Sequence, residues 1–129
     1  MKRHHFLRAI AAATLACTLA PVWAQAYPNK TVRVIIPFPP GGTLDFIGRT
    51  LAQKMSEQTG QTFVIENKPG GNGFIGADAV AKAPADGYTL LFGTMGTHAI
   101  NPALYAKLRY NPLTDFTPVM KLAEGPYVL

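Results

Sequence analysis

Cysteine and serine occur once each in this 129-residue chain, as Cys17 and Ser56. A lone cysteine excludes a disulfide framework, a thiolate cluster and a Cys-based metal site. Ser56 falls inside a helical pattern, without the glycine-flanked elbow that exposes a serine nucleophile. Of three histidines, His4 and His5 stand at the start, which leaves His98 alone downstream. One histidine cannot build a multi-histidine metal centre. With no carboxylate beside it in sequence, His98 reads as a capping or hydrogen-bonding residue rather than a member of a triad. A G-x-x-x-x-G-K-[ST] phosphate loop is also absent, so the residues imply no cofactor.

A basic stripe is missing too. The formal charge is +5, but Lys2, Arg3 and Arg8 supply three of the 12 basic residues before any acid appears. The remaining nine are scattered singly among seven acids. Nucleic-acid binding needs a clustered phosphate footprint, so no nucleic-acid partner is expected. Long hydrophobic runs are lacking as well. Ala9 to Ala20 is the longest apolar stretch, well short of the ~18–20 residues of a spanning helix. It follows a basic start and precedes Ala24-Gln25-Ala26, the layout of a cleavable export signal. Residues 1–26 are therefore expected to be a signal peptide cut after Ala26, with Tyr27 the first mature residue and a periplasmic destination. A lipoprotein signal carries an aliphatic residue three before its cysteine; here Thr14 stands there, and Cys17 reads as apolar filler.

What is present is a repeated unit. Thr31 to Ile36 is β-branched and stopped by Pro37, a buried strand. Phe38-Pro39-Pro40-Gly41-Gly42 is a loop. Thr43 is the expected N-cap of a helix with Asp45 in its first turn, where the dipole favours an anion. Leu44, Ile47, Leu51 and Met55 give that helix an apolar face, and Gly60 ends it. A second strand is expected at Thr62 to Ile65, a glycine loop at Glu66 to Gly73 and an alanine-rich helix at Phe74 to Ala83. Pro84 to Gly87 reads as a turn, and a third strand as Tyr88 to Phe92. A third glycine loop runs from Gly93 to Thr97, then a short helical turn at Asn101 to Tyr105. Val119 to Leu122 and Tyr127 to Leu129 look like strand pieces. Strand, loop and helix in alternation predict an α/β fold with a parallel sheet flanked by helices. The ending in strand-like residues is read as a chain cut short.

Ligands of open parallel sheets bind beyond the carboxyl ends of the strands, where all three glycine loops fall. Uncovered peptide N–H groups and helix N-termini make such an edge an anion site. Phe38 to Thr43, Gly70 to Gly73 and Gly93 to Thr97 are expected to converge there, with hydroxyls from Thr43, Thr94 and Thr97. The alternative is that these glycines only make tight turns. Gly71-Asn72-Gly73-Phe74-Ile75-Gly76 matches the dinucleotide fingerprint G-x-G-x-x-G, but it does not follow its strand directly. Phe92 is followed by Gly93 rather than by the acid that would meet a ribose.

Several stretches together resemble the extracytoplasmic substrate-binding receptors of tripartite tricarboxylate transporters, the Bug receptor family. They are Tyr27-Pro28, Pro37 to Asp45, Glu66 to Gly70 with Gly73 and Gly76, Asp86 to Leu91, His98 to Pro102 with Leu104-Tyr105, and Asp115 to Val119. The resemblance implies a periplasmic-binding-protein-like (type 2) fold. Residues 27–129 would then be the N-terminal part of lobe one, truncated before the second lobe. It also implies a monomeric receptor, not an enzyme, that captures a small carboxylate and delivers it to membrane subunits of the transporter. Carried over by position, the ligand-facing residues are Phe38, Pro40, Gly41, Gly42, Thr43, Asp45, Gly71, Asn72, Gly73, Thr94, Thr97 and His98. Asp45 is implied to orient the first loop. A sensor feeding a membrane signalling protein and an exported enzyme are the alternative uses of the same scaffold.

Overall fold

Val32–Ile36 forms the central strand, β1, in the computed structural model, which describes residues 26–125. Its β-branched side chains pack on both faces: Val32, Ile35 and Ile36 are at most 1% exposed. Burial of each contributes about 1.5–3 kcal/mol. β2 (Phe63–Asn67) pairs with one edge of β1 and β3 (Thr89–Leu91) with the other, both parallel, in the order β2-β1-β3. Parallel neighbours need a crossover. α1 (Thr43–Thr59) joins β1 to β2, and α2 (Phe74–Ala81) joins β2 to β3.

The two crossovers run in opposite directions along the sheet, so right-handed connections put the helices on opposite faces. Two glycines show the arrangement. A Cβ on Gly48 of α1 would lie 2.6 Å from Ile36 Cδ1, and one on Gly76 of α2 would lie 2.7 Å from Pro37 Cβ. Ile36 and Pro37 are successive residues and point to opposite faces. Under α1, Val32, Ala52 and Phe63 form a core with Val34, Met55, Ile65, Tyr88 and Leu90.

Several boundaries differ from the sequence reading. The N-cap of α1 is Gly42, with extended backbone and no side-chain cap, and Thr43 is the first helical residue. The face of α1 centres on Asp45, Gly48 and Ala52, while Leu44, Ile47, Leu51 and Met55 flank it half-buried. Small residues at the centre let the helix lie close to β1. Gly60 ends α1 at φ 71, as expected. β2 runs on to Asn67 because Glu66 and Asn67 pair with Ile35 and Ile36 of β1. α2 stops at Ala81, two residues early. Gly96–Ile100 forms a π-helical turn that leads into the short α3 (Asn101–Leu104), where a loop was expected to reach Thr97. Val119 to Leu122 forms no strand, and Val119 is 78% exposed. A strand needs a neighbour, and no described strand lies beside these residues. The expected strand at Tyr127 to Leu129 lies outside the described residues, as does the leader except for Ala26.

The lone serine has a structural task. Ser56 Oγ donates to the Ala52 carbonyl (2.7 Å) and accepts the Phe63 N–H (3.0 Å), tying α1 to the start of β2. At the amino edge of the sheet, Tyr27 donates to the Gly87 carbonyl (2.6 Å) and its ring lies 5.2 Å from that of Tyr88. Lys30 pairs with Asp86 at 3.1 Å. The segment from Tyr27 to Lys30 is thus fastened to the turn before β3, at the end opposite the glycine loops.

Candidate functional site

β1 ends in Pro37, and the chain leaves the sheet through Phe38-Pro39-Pro40-Gly41-Gly42. Gly41 has φ +86, a conformation open to glycine. Gly42 is extended, and a Cβ at either glycine would meet nothing within 4 Å. The first turn of α1 has no side-chain cap, so its leading N–H groups keep their partial positive charge. The residues of this turn and of the loop before it, Phe38 to Asp45, line an open concavity of about 490 Å³.

Asp45 holds this loop in shape. Its side chain is buried and accepts from Arg49 Nε (2.9 Å), the Gly41 N–H (3.0 Å) and Asn67 Nδ2 (3.0 Å). Arg49 first, then the Gly41 N–H and the Asn67 amide, hold this carboxyl well below the usual carboxylate range. The same pair pushes Arg49 up. Asn67, the last residue of β2, also donates to the Phe38 carbonyl (3.1 Å) and accepts from Arg49 Nη2 (3.0 Å). Both ends of loop one are therefore tied to the end of β2.

Loop two turns through four consecutive positive-φ residues, Gly70, Gly71, Asn72 and Gly73. Gly73 is the meeting point of the three loops. A Cβ there would lie 2.7 Å from Thr97 Cγ2, 3.4 Å from Pro37 Cβ and 3.6 Å from Phe38 Cζ. Asn72 donates through Nδ2 to Asn101 Oδ1, and Asn101 Nδ2 donates to the Asn72 carbonyl, both at 3.0 Å. The glycine fingerprint has a packing use here: Gly76 lets α2 approach Pro37 closely.

Loop three is braced from within. Thr97 is fully buried; its Oγ1 accepts the Thr94 N–H (3.0 Å) and lies 3.0 Å from the Thr94 carbonyl and 2.8 Å from His98 Nδ1. The Tyr110 hydroxyl donates to the Thr97 carbonyl at 2.7 Å. The His98 ring lies against Gly93 and 5.1 Å from the ring of Phe116.

Of the residues expected to face a ligand, Phe38, Pro40, Gly41, Gly42 and Thr43 line the concavity directly. Asp45 lines it too, with its carboxylate bonded to the loop and its neighbours. Gly71 and Gly73 shape loop two, and Gly73 is buried against Thr97 of loop three. Thr94 is half-buried at the edge. The expected Thr97 hydroxyl donor is instead committed inside loop three, because its side chain is sealed beneath Gly73. His98 is engaged by Thr97. Sequence reasoning missed the bracing roles of Arg49, Asn67, Asn101 and Tyr110. Only Arg49 carried a local signal, its i+4 spacing from Asp45.

Residues 47–129 match the tripartite tricarboxylate transporter family receptor. The chain belongs to this family. BugT of Bordetella pertussis is 41% identical over 111 residues, covering 85% of this chain and 34% of BugT. Among solved receptors, MatC from Rhodopseudomonas palustris with bound malate superposes with a TM-score of 0.70 at 44% identity, over 74% of this chain and 33% of MatC. An R. palustris protein with adipate superposes equally, TM-score 0.70 at 49% identity, over 73% of this chain and 31% of that one. The chain spans 34–40% of the length of the first three curated relatives it matches. The parallel sheet with a glycine-loop edge is thus the fold of periplasmic binding proteins of this receptor family.

Proposed function

We propose that this chain is part of an extracytoplasmic receptor that captures a small carboxylate and delivers it to the membrane subunits of a tripartite transporter. One observation carries the reading: the uncapped start of α1 and the open Gly41-Gly42 turn face a concavity at the ligand edge of a parallel sheet. Peptide N–H groups at a helix start favour a carboxylate, and the similar MatC and adipate proteins were solved with such acids. Phe38 to Thr43, loop two and Thr94 form the proposed ligand edge. Asp45, Thr97 and His98 support it. Residues 1–26 act as the export signal, residues 27–129 belong to lobe one, and the receptor works as a periplasmic monomer. Binding without turnover fits the groups present. Ser56 is bonded into α1, and His98 is engaged by Thr97.

The test is an NMR titration of the isotope-labelled chain with malate and adipate, with succinamide as the uncharged control. Saturable shifts at Gly41, Gly42, Thr43, Gly71 to Gly73 and Thr94, absent with succinamide, are expected. Gly42→Val should abolish them. Its Cβ enters open space and φ −84 suits valine, so the fold survives a weaker cap at a cost of about 1 kcal/mol. Shifts centred elsewhere, or equal shifts with succinamide, would remove the anion site.

A further inference from the structure

Asn72 is the one non-glycine residue with positive φ among the described residues, at φ 52 and ψ 42. A Cβ makes this conformation costly, least so for Asn and Asp. Asn101 offsets that cost from across the site. It opens α3, its side chain is 0% exposed, and both ends of its amide are spent on Asn72, one on the side chain and one on the backbone carbonyl. The two bonds close a ring between residues 29 positions apart. A residue that only filled space here would be apolar. A buried amide is retained where its hydrogen bonds are needed.

We propose that Asn101 is a positioning residue for the ligand edge, holding Asn72 left-handed and so fixing the direction of the loop-two peptide groups. The inference rests on the receptor reading above. It assigns Asn72 a different part from a direct ligand contact. The Asn72 side-chain amide is engaged with Asn101 and the Gly73 N–H with the Gly70 carbonyl, so loop two offers its guest the Gly71 and Asn72 N–H groups rather than that side chain. Loop two and loop three are thereby set as one unit.

Four variants of the chain test this: Asn72→Gly, Asn72→Ala, Asn101→Ala and the Asn72→Gly/Asn101→Ala pair. Malate affinity is read by NMR titration and melting temperature by circular dichroism. Glycine adopts positive φ freely, so Asn72→Gly should bind malate at least about fivefold more tightly than Asn72→Ala. Asn72→Ala should weaken binding by about five- to thirtyfold, the penalty of a left-handed residue with a Cβ. Asn101→Ala should weaken it similarly, and adding Asn72→Gly should regain most of the loss. Asn101→Ala with a lower melting temperature and an unchanged Kd would show a core role only, and overturn the proposal. Asn72→Gly losing as much as Asn72→Ala would show a direct side-chain contact and overturn it too. If Asn101→Ala does not fold, the comparison at exposed position 72 decides alone, with equal affinities as the overturning result. A wild-type chain that binds neither acid overturns the receptor reading itself, so the two failures are distinct.

Discussion

Asp45 shows how a buried charge can brace a loop. Its carboxylate is satisfied by Arg49, Gly41 and Asn67, which favours the ionised form and lowers its pKa. A carboxyl whose folded pKa lies below its unfolded value of about 3.9 adds stability that is present above that value. The contribution is lost as pH falls below it towards the folded pKa. Acid titration of the melting temperature should therefore show a shallower decline below about pH 4 in Asp45→Asn than in the native chain. Identical slopes would mean that Asp45 does not carry this linkage. Asp45 could be singled out from its place in the first helical turn, and its spacing from Arg49 was visible. The bonds to Asn67 were not, because that residue is 22 positions away and meets Asp45 only once β2 pairs with β1.

Among the elements, the two helix–strand contacts differ in how much they can yield. At Gly76 an added Cβ would meet the Pro37 Cα at 2.9 Å and the Lys68 carbonyl at 3.0 Å, both backbone. At Gly48 it would meet chiefly the free end of the Ile36 side chain, at 2.6 Å. Backbone cannot rotate away, so Gly76→Ala should cost about 1–3 kcal/mol in denaturant unfolding. Gly48→Ala should cost less, because the end of Ile36 can turn, while the helix-propensity gain of about 1 kcal/mol is common to both sites. The reverse order would contradict this packing. Each strand–helix pair was legible from β-branched runs, periodicity and glycine stops. The extension of β2 to Asn67 was not, since Glu66, Asn67 and Pro69 are loop formers and only pairing with β1 draws the first two into the sheet. The π-helical turn at Gly96–Ile100 escaped for a similar reason: Gly93 and Gly96 suggest a loop, while Tyr110 and Asn101 stabilise a wound one.

For the whole molecule, the concavity is open and lined by one loop, and a ligand held on one side stays largely solvated. Such a contact leaves little surplus over the cost of association. Malate and adipate should therefore bind this chain with a Kd of about 1–10 mM, within reach of an NMR titration; micromolar binding in calorimetry would show that loops one to three suffice. The amino acids alone determined the alternation of strand and helix and the three glycine loops at one edge. These follow from local propensity and from which residue types are present. Tertiary structure decided which polar side chains face the edge and which brace it. Asp45 reaches Asn67, Thr97 packs against Gly73 and Asn72 turns to Asn101, because these partners, far apart in sequence, meet only when the helices pack on opposite faces of the sheet and its loops converge at Gly73.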